Sequence, residues 1–207
     1  MANKAAPNAR KARAPELAPR ARVAFIVDVE FEDSEFQVPY DRVRDAGHEA
    51  VIVGLEANKE LKGKKGVQTI TTQYAAGEVS PAEFDALVIP GGYSPDHLRT
   101  DKKMVELTRE MFTAGKPVAA ICHAGWMLAE ADIARGRTVT SWPSIKTDLV
   151  NAGARWVDRE VVEDENLITS RKPADLPKFS EALLKQIQRR MKAAETEARE
   201  ERPHAPH

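Results

Sequence analysis

Short apolar runs alternate with stretches of helical periodicity through the middle of the chain. RVAFIV at 22–27, EAVIVGL at 49–55, ALVIP at 86–90 and PVAAI at 117–121 are brief and rich in β-branched residues. That is how strands buried on both faces read. Residues 34–46 predict a helix ending near Gly47, a C′ glycine. In SPAEFD, Ser80 is placed as N-cap, Pro81 at the first helical position and Glu83 to close a capping box, so a short helical turn is expected. In DKKMVELTREMFTAG, Met104, Leu107, Thr108, Met111 and Phe112 recur at helical spacing until Gly115. VQTITTQY (67–74) reads as extended and RTVTS (137–141) as a strand. A helix is expected at or just after Cys122, and another over 144–152, closed by Gly153. RWVDREVVEDENLITS (155–170) reads as strands with a turn near Asp164–Asn166. A final helix runs from near Asp175 to about Arg190. Buried strands alternating with amphipathic helices predict an α/β sandwich around a mostly parallel sheet.

The 207 residues suit one domain with tails: a basic arm over 1–20, the α/β domain over 21–190 and a charged tail over 191–207. Hydrophobic residues make up 42% and charged residues 30%, with a formal net charge of −1. Nothing in that balance points to nucleic acid or a membrane surface. No apolar run approaches the ~20 residues a spanning helix needs. The lone cysteine cannot form an internal disulfide, which fits a reducing, cytoplasmic location. The N-terminal MANKAAPNARKARAPELAPRAR lacks the apolar stretch of a secretory signal and is broken by Pro7, Pro15 and Pro19, so it reads as a mobile basic arm. The first part of 188–207 extends the terminal helix, and its last five residues fray.

The lone cysteine, Cys122, lies in AAICHAGW at the end of a strand, where open α/β sheets gather their reactive groups. Ala120 and Ala124 flank it in the small-x-nucleophile-x-small spacing of a nucleophile elbow, whose tight turn tolerates only small neighbours. A helix N-terminus there favours thiolate. The octapeptide alone fits a buried core thiol equally well. His123 offers an acid/base, although adjacent helical residues diverge; alone it reads as a helix-end residue. Gly91 and Gly92 close the preceding strand and allow backbone N–H groups to approach an oxyanion, although a lone Gly-Gly is more simply a turn. Glu32, past the first strand, is a carboxyl that can be protonated against a thiolate; its neighbours Asp33 and Glu35 read as N-terminal helix charges. Trp142 walls the pocket or serves an interface or the core. The clusters KGKK (62–65) and REVVEDEN (159–166) read as solvated loops. No metal-ligand spacing and no phosphate-binding glycine loop is present.

Together the segments FED (31–33), VIPGGYSPDHLR (88–99), KPVAAICHAGWML (116–128), GRTVTSWPSIKTDLVNAGARWVD (136–158) and LITSRKPADLPKF (167–179) resemble the PfpI-like family of the class I glutamine amidotransferase-like superfamily. The resemblance runs from about Arg22 to Ile187. It implies a flavodoxin-like three-layer sandwich with Cys122 on the elbow, Glu32 beside the sulfur, His123 as its partner, Gly92 in the oxyanion hole, and Asp96 reaching His123 from a second subunit of a homo-oligomer. Ala124 departs from the family's usual glycine, and Trp142 from the tyrosine some members carry, which removes a possible phenol. The implied activity is a cysteine-dependent stress-response hydrolase acting on glycated proteins, glycated peptides or small reactive carbonyls, with a cysteine peptidase assignment beside it. No cofactor is implied. The rival expectation is a redox sensor or holdase with an oxidisable thiol.

Overall fold

The computed structural model describes residues 20–200, with side chains as far as 196. The expected N-terminal arm, apart from Arg20, and the last seven residues therefore lie outside the described residues. In chain order the elements are β1 (Arg22–Ile26), α1 (Asp33–Asp45), β2 (Glu49–Gly54), β3 (Glu60–Lys62), β4 (Thr69–Thr71), β5 (Tyr74–Ala75), β6 (Ala86–Ile89), α2 (Ser94–Leu98), α3 (Lys102–Thr113), β7 (Val118–Ile121), α4 (Gly125–Glu130), β8 (Thr138–Val139), α5 (Lys146–Asn151), β9 (Arg155–Trp156), β10 (Val161–Asp164), β11 (Leu167–Ser170) and α6 (Leu176–Glu200).

The central sheet has seven strands in the order β10-β11-β7-β6-β1-β2-β5. Every pairing is parallel except β10 with β11. Alternate residues point to opposite faces, and both faces are covered. Ala24, Ile26, Val51, Leu87 and Ile89 pack towards Met104 and Met111 of α3, Met127 of α4 and Leu149 of α5. Val23, Phe25, Ile52, Val88 and Ala119 pack towards Phe36 and Val43 of α1 and Phe179, Leu183 and Ile187 of α6. The result is the expected flavodoxin-like sandwich. An aromatic set pins α1 to the sheet: Phe36 lies 5.9 Å from Phe25, 5.3 Å from Phe31 and 5.1 Å from Tyr40, ring to ring.

The chain leaves β1 for β2 on one side and returns to β6 on the other, so a crevice opens at the carboxyl ends of β1, β6 and β7. The loops over it are tied together. Phe31 bridges Gly92, and the Glu32 N–H donates to Gly91 O at 3.1 Å.

Several elements differ from the expectation. The 60–71 region folds as a separate β3–β4 hairpin, and SPDHL forms α2. The RTVTS strand joins no part of the main sheet; its β8 pairs with β9 alone. Helix α6 continues to Glu200, so no break separates domain from tail at 190–191. The KGKK segment is not a loose loop. Asp33, buried in the first turn of α1, accepts from the backbone N–H of Lys65 (3.0 Å), Val67 (3.0 Å) and Gln68 (2.7 Å). Burial opposes its ionisation, yet these three donors hold its pKa below the ordinary carboxylate value.

Replacing Asp33 with Ala should therefore unlatch the hairpin. The three lost charge-assisted bonds should cost roughly 3 kcal/mol. Hydrogen exchange should speed up at Lys65, Val67 and Gln68 while α1 stays protected. Unchanged exchange in that loop would show that the latch is not what holds it.

Candidate active site

Cys122 sits where β7 ends and a single 3-10 turn (122–124) leads into α4. Its φ is +63°, a left-handed conformation costly for any residue with a side chain. Ala120 and Ala124 are 2% and 0% exposed, so nothing larger would fit beside it. The elbow geometry is therefore present. The thiol itself is only 6% exposed. Burial first, and then the negative charge of Glu35, push it up to about 12. This reverses the expectation of a thiol poised by a helix end, since α4 is six residues long and its dipole is correspondingly weak. Acting the other way, the backbone at Gly92 and His123 favours its anion.

The carboxyl at the sulfur belongs to Glu35, not Glu32. Glu35 is 0% exposed, accepts from the Gly91 N–H at 3.0 Å and lies beside Cys122, with its Oε2 and the Cys122 Cβ both packed on Gly91. Its Oε1 is buried with no hydrogen-bond partner. Burial first, and then the charge of Glu32, raise its pKa to about 8. Glu32 stands at the N-cap of α1, accepting from the N–H groups of Ser34 (2.9 Å) and Glu35 (3.1 Å) and from the Ser34 hydroxyl at 2.6 Å. Its other oxygen pairs with Lys65. Against its burial, Lys65 and these donors keep its pKa low. One acid is thus held ionised at the cap while the other, one turn further, is kept protonated against the sulfur.

Glycine is obligatory between acid and thiol. A Cβ on Gly91 would lie 2.4 Å from Glu35 Oε2 and 2.6 Å from Cys122 Cβ, and one on Gly92 (φ +81°) would lie 2.3 Å from Glu30 O. Gly91 is not an oxyanion donor, because its N–H is taken by Glu35.

The left-handed turn at Cys122 also brings the next side chain back over it. His123 Nδ1 lies 3.2 Å from Cys122 Sγ, and Nε2 lies 3.3 Å from Ser144 Oγ. Burial, with a smaller contribution from Lys64, lowers the imidazole pKa, so a neutral ring faces the thiol as a proton acceptor. Trp126 and Trp142 flank it, with ring centroids 5.1 and 6.4 Å from the imidazole. Trp142 is 39% exposed, and its backbone N–H donates to Cys122 O at 3.2 Å. Asp96 pairs with Arg99 of its own chain at 3.1 Å and makes no hydrogen bond or ion pair with His123 of that chain. The sequence reading missed Glu35 and Ser144. Among the described residues no His, Cys, Asp or Glu cluster is arranged to hold a metal, and no helix is long and apolar enough to cross a membrane.

Residues 21–186 match the DJ-1/PfpI family. The chain is 48% identical over 165 residues to protein/nucleic acid deglycase 2 of Escherichia coli K12, covering 79% of this chain and 96% of that protein. It is 45% identical over 155 residues to deglycase PfpI of Pyrococcus furiosus, covering 75% and 92%. A two-domain Anabaena variabilis protein with DJ-1/ThiJ/PfpI-like and ferritin-like domains has a similar structure, with a TM-score of 0.81 at 39% identity, over 82% of this chain and 48% of that one.

The acid at the sulfur should be visible in stability against pH. An unfolded Glu releases its proton near 4.5 and native Glu35 near 8. Between those values the native state binds the extra proton, so stability falls as pH rises through the window. Glu35→Gln removes that titration. The difference in unfolding free energy, wild type minus variant, should decline from pH 4.5 to 8 and be flat below it. Denaturant titrations across this range check it, and a difference that rises with pH would contradict the assignment.

Proposed function

The chain belongs to the DJ-1/PfpI family, a cysteine-dependent enzyme by its relatives, and from that premise we propose that it removes glyoxal adducts from protein amines and thiols. The observation that carries this reading is the meeting of three groups at one elbow: the Cys122 thiol, His123 Nδ1 at 3.2 Å from its sulfur, and the buried Glu35 carboxyl packed beside it across Gly91. Cys122 Sγ is the nucleophile: it displaces the amine or thiol from the carbinol carbon of the adduct, that carbon's hydrogen shifts as a proton to the neighbouring carbonyl carbon through an enediolate, and water breaks the resulting thioester through a tetrahedral oxyanion, freeing the thiol. Gly92 and His123 N–H are placed to hold that oxyanion. His123 takes the thiol proton and returns it to the departing amine or thiol. Glu35 carries a proton at the sulfur, so the pair need bear only one negative charge. The net reaction consumes one water and yields the free amine or thiol and a 2-hydroxy acid. The carbon bearing nitrogen or sulfur is oxidised and the neighbouring carbonyl reduced, so no external redox partner is needed. The deglycase names of the relatives support the substrate class, and a reactive thiol suits a reducing, cytoplasmic setting. A stoichiometric redox sensor is the weaker reading because the thiol is 6% exposed.

An activity panel separates these readings. With methylglyoxal, a glycated peptide and an unmodified peptide, the wild type should turn over the first two. Cys122→Ser should lose at least ~10³-fold, the scale of losing a nucleophile, and Glu35→Gln should lose more activity than Glu32→Gln. Turnover that survives Cys122→Ser would sink the enzyme reading, and cleavage of the unmodified peptide alone would make the protein a peptidase.

We also propose that Asp96 completes the site from a second copy, taking up His123 Nε2. Its carboxylate is half-exposed on α2, behind Pro95, which stiffens the approach. Mixing inactive Asp96→Ala subunits with inactive Cys122→Ala subunits should restore activity, because one site of a mixed dimer is then whole. A native protein that is monomeric and fully active would rule this out.

A further inference from the structure

Helix α2 carries Asp96, yet little in its own sequence holds it in place. It is five residues long, and its N-cap Tyr93 makes no side-chain bond to it. A helix that short is not stable by itself, so its placement comes from outside. Leu98 is fully buried in the core, and a second tie comes from Asp28, just past the end of β1. The Asp28 N–H donates to Ser94 Oγ at 2.8 Å, and Asp28 Oδ2 lies 3.2 Å from His97 Nδ1. Ser94 and His97 are three positions apart, so both stand on one face of the helix. One residue thus grips α2 at two points, which fixes its height above the sheet and its rotation about its own axis. Asp28 is buried and His97 half-exposed. An acid kept from water costs stability unless it is paired, and the partner Asp28 has is α2. Asp96 stands one position before His97, about 100° round the helix, half-exposed beside Arg99. The turn before α2 is stitched separately: Glu32 N–H donates to Gly91 O, Phe31 bridges Gly92, and Tyr93 N–H donates to Glu30 O at 2.9 Å. Those ties hold the glycines at the chain's own elbow, and the Asp28 ties reach past them into the helix.

We propose that Asp28 is a positioning residue for the active site of a second copy: by gripping Ser94 and His97 it turns α2 so that Asp96 is presented to that copy's His123. The statement rests on the reading of Asp96 as a residue supplied in trans. Asp28 acts through His97 and Asp96 and touches neither substrate nor thiol. A carboxylate at the outer nitrogen of His123 stabilises the charged ring, so His123 accepts the Cys122 proton more readily and more of the thiol stands as thiolate. Were α2 free to rotate, Asp96 would be spread over many directions. The loss would then fall on the neighbour's site rather than on the chain's own, and two-fold symmetry makes it reciprocal.

The test follows alkylation of Cys122 by iodoacetamide at neutral pH, a readout that does not depend on the substrate. The rate in Asp28→Ala should fall about ten-fold, below the ~10²–10⁴ that a positioned proton carrier supplies outright. Asp96→Ala should be slowed at least as much, and the double variant should be no slower than Asp96→Ala alone, because both changes remove one interaction. An added loss in the double variant would overturn the proposal, as would an unchanged rate in Asp28→Ala. Subunit mixing then separates the chain's own site from its neighbour's. Asp28→Ala subunits are co-expressed with Cys122→Ala subunits, and mixed dimers are isolated through two different tags. The thiols present all belong to Asp28→Ala chains, and each faces an Asp96 held by an intact Asp28. Their alkylation should return to the wild-type rate. His97→Ala, which removes a half-exposed ring, should behave alike and serves if Asp28→Ala does not fold. Mixed dimers with Asp96→Ala subunits in place of Asp28→Ala are the control. Rescue of Asp96→Ala without rescue of Asp28→Ala or His97→Ala would show that Asp28 serves its own chain and overturn this inference alone. Rescue of neither would overturn the shared site, and the inference with it.

Discussion

The structure turns on an acid and a thiol buried against one another with no room for a side chain between them. Glu35 comes from the first turn of α1 and Cys122 from the end of β7, and Gly91 at the end of β6 is the spacer. For the two to meet, the carboxyl ends of β6 and β7 have to finish level and α1 has to be pressed on the sheet through Phe36. The elbow has to take a left-handed φ, and Ala120 and Ala124 have to stay small. Two buried acids at hydrogen-bond range cannot both be ionised at moderate cost. At neutral pH both therefore hold a proton, and the one on the sulfur is what any chemistry at this site must first move.

The same physics explains why the acid was misplaced in the sequence reading. FEDSEF offers three carboxylates within four positions. Which of them faces the sheet depends on where α1 begins, and helix ends are the least sharply specified part of a helix. Glu32 turned out to be the N-cap, so the inward acid is Glu35, one turn later. There was a signal: Glu35 stands four residues before Pro39 and eight before Val43, both buried on α1. An acid on the apolar stripe of a helix is the one that needs a special partner. By contrast, the central strands of the main sheet were legible because short apolar runs rich in β-branched residues have few alternatives. The elbow was legible because its size restriction is written in adjacent residues. Ser144 was not, because its meeting with His123 depends on how the 3-10 turn after Trp142 lies over the elbow, which no local pattern encodes.

The β3–β4 hairpin illustrates a different limit. Its lysines and glycine carry the composition of a free loop, and composition is all that KGKK presents. Order there is supplied from outside, by the buried Asp33 carboxylate gathering three backbone N–H groups. The same two adjacent acids therefore do separate structural work. Glu32 caps the helix and pairs with Lys65, while Asp33 holds the loop between β3 and β4.

The ends of the sheet bear on how copies of the chain can meet. One edge is β5, two residues long. The other is β10, a four-residue antiparallel strand whose Glu163 is engaged by Lys185, Gln186 and Arg189 of α6. Neither offers the long, flat row of free backbone groups on which another strand could template, so the sheet is closed to extension and to the edge-to-edge aggregation that open sheets risk. Self-association is thereby diverted from strands to helices and loops. The exposed aromatic rings of Tyr93 and Trp142 stand on loops at the crevice itself, so a contact made there would bury the approach to Cys122 as it formed.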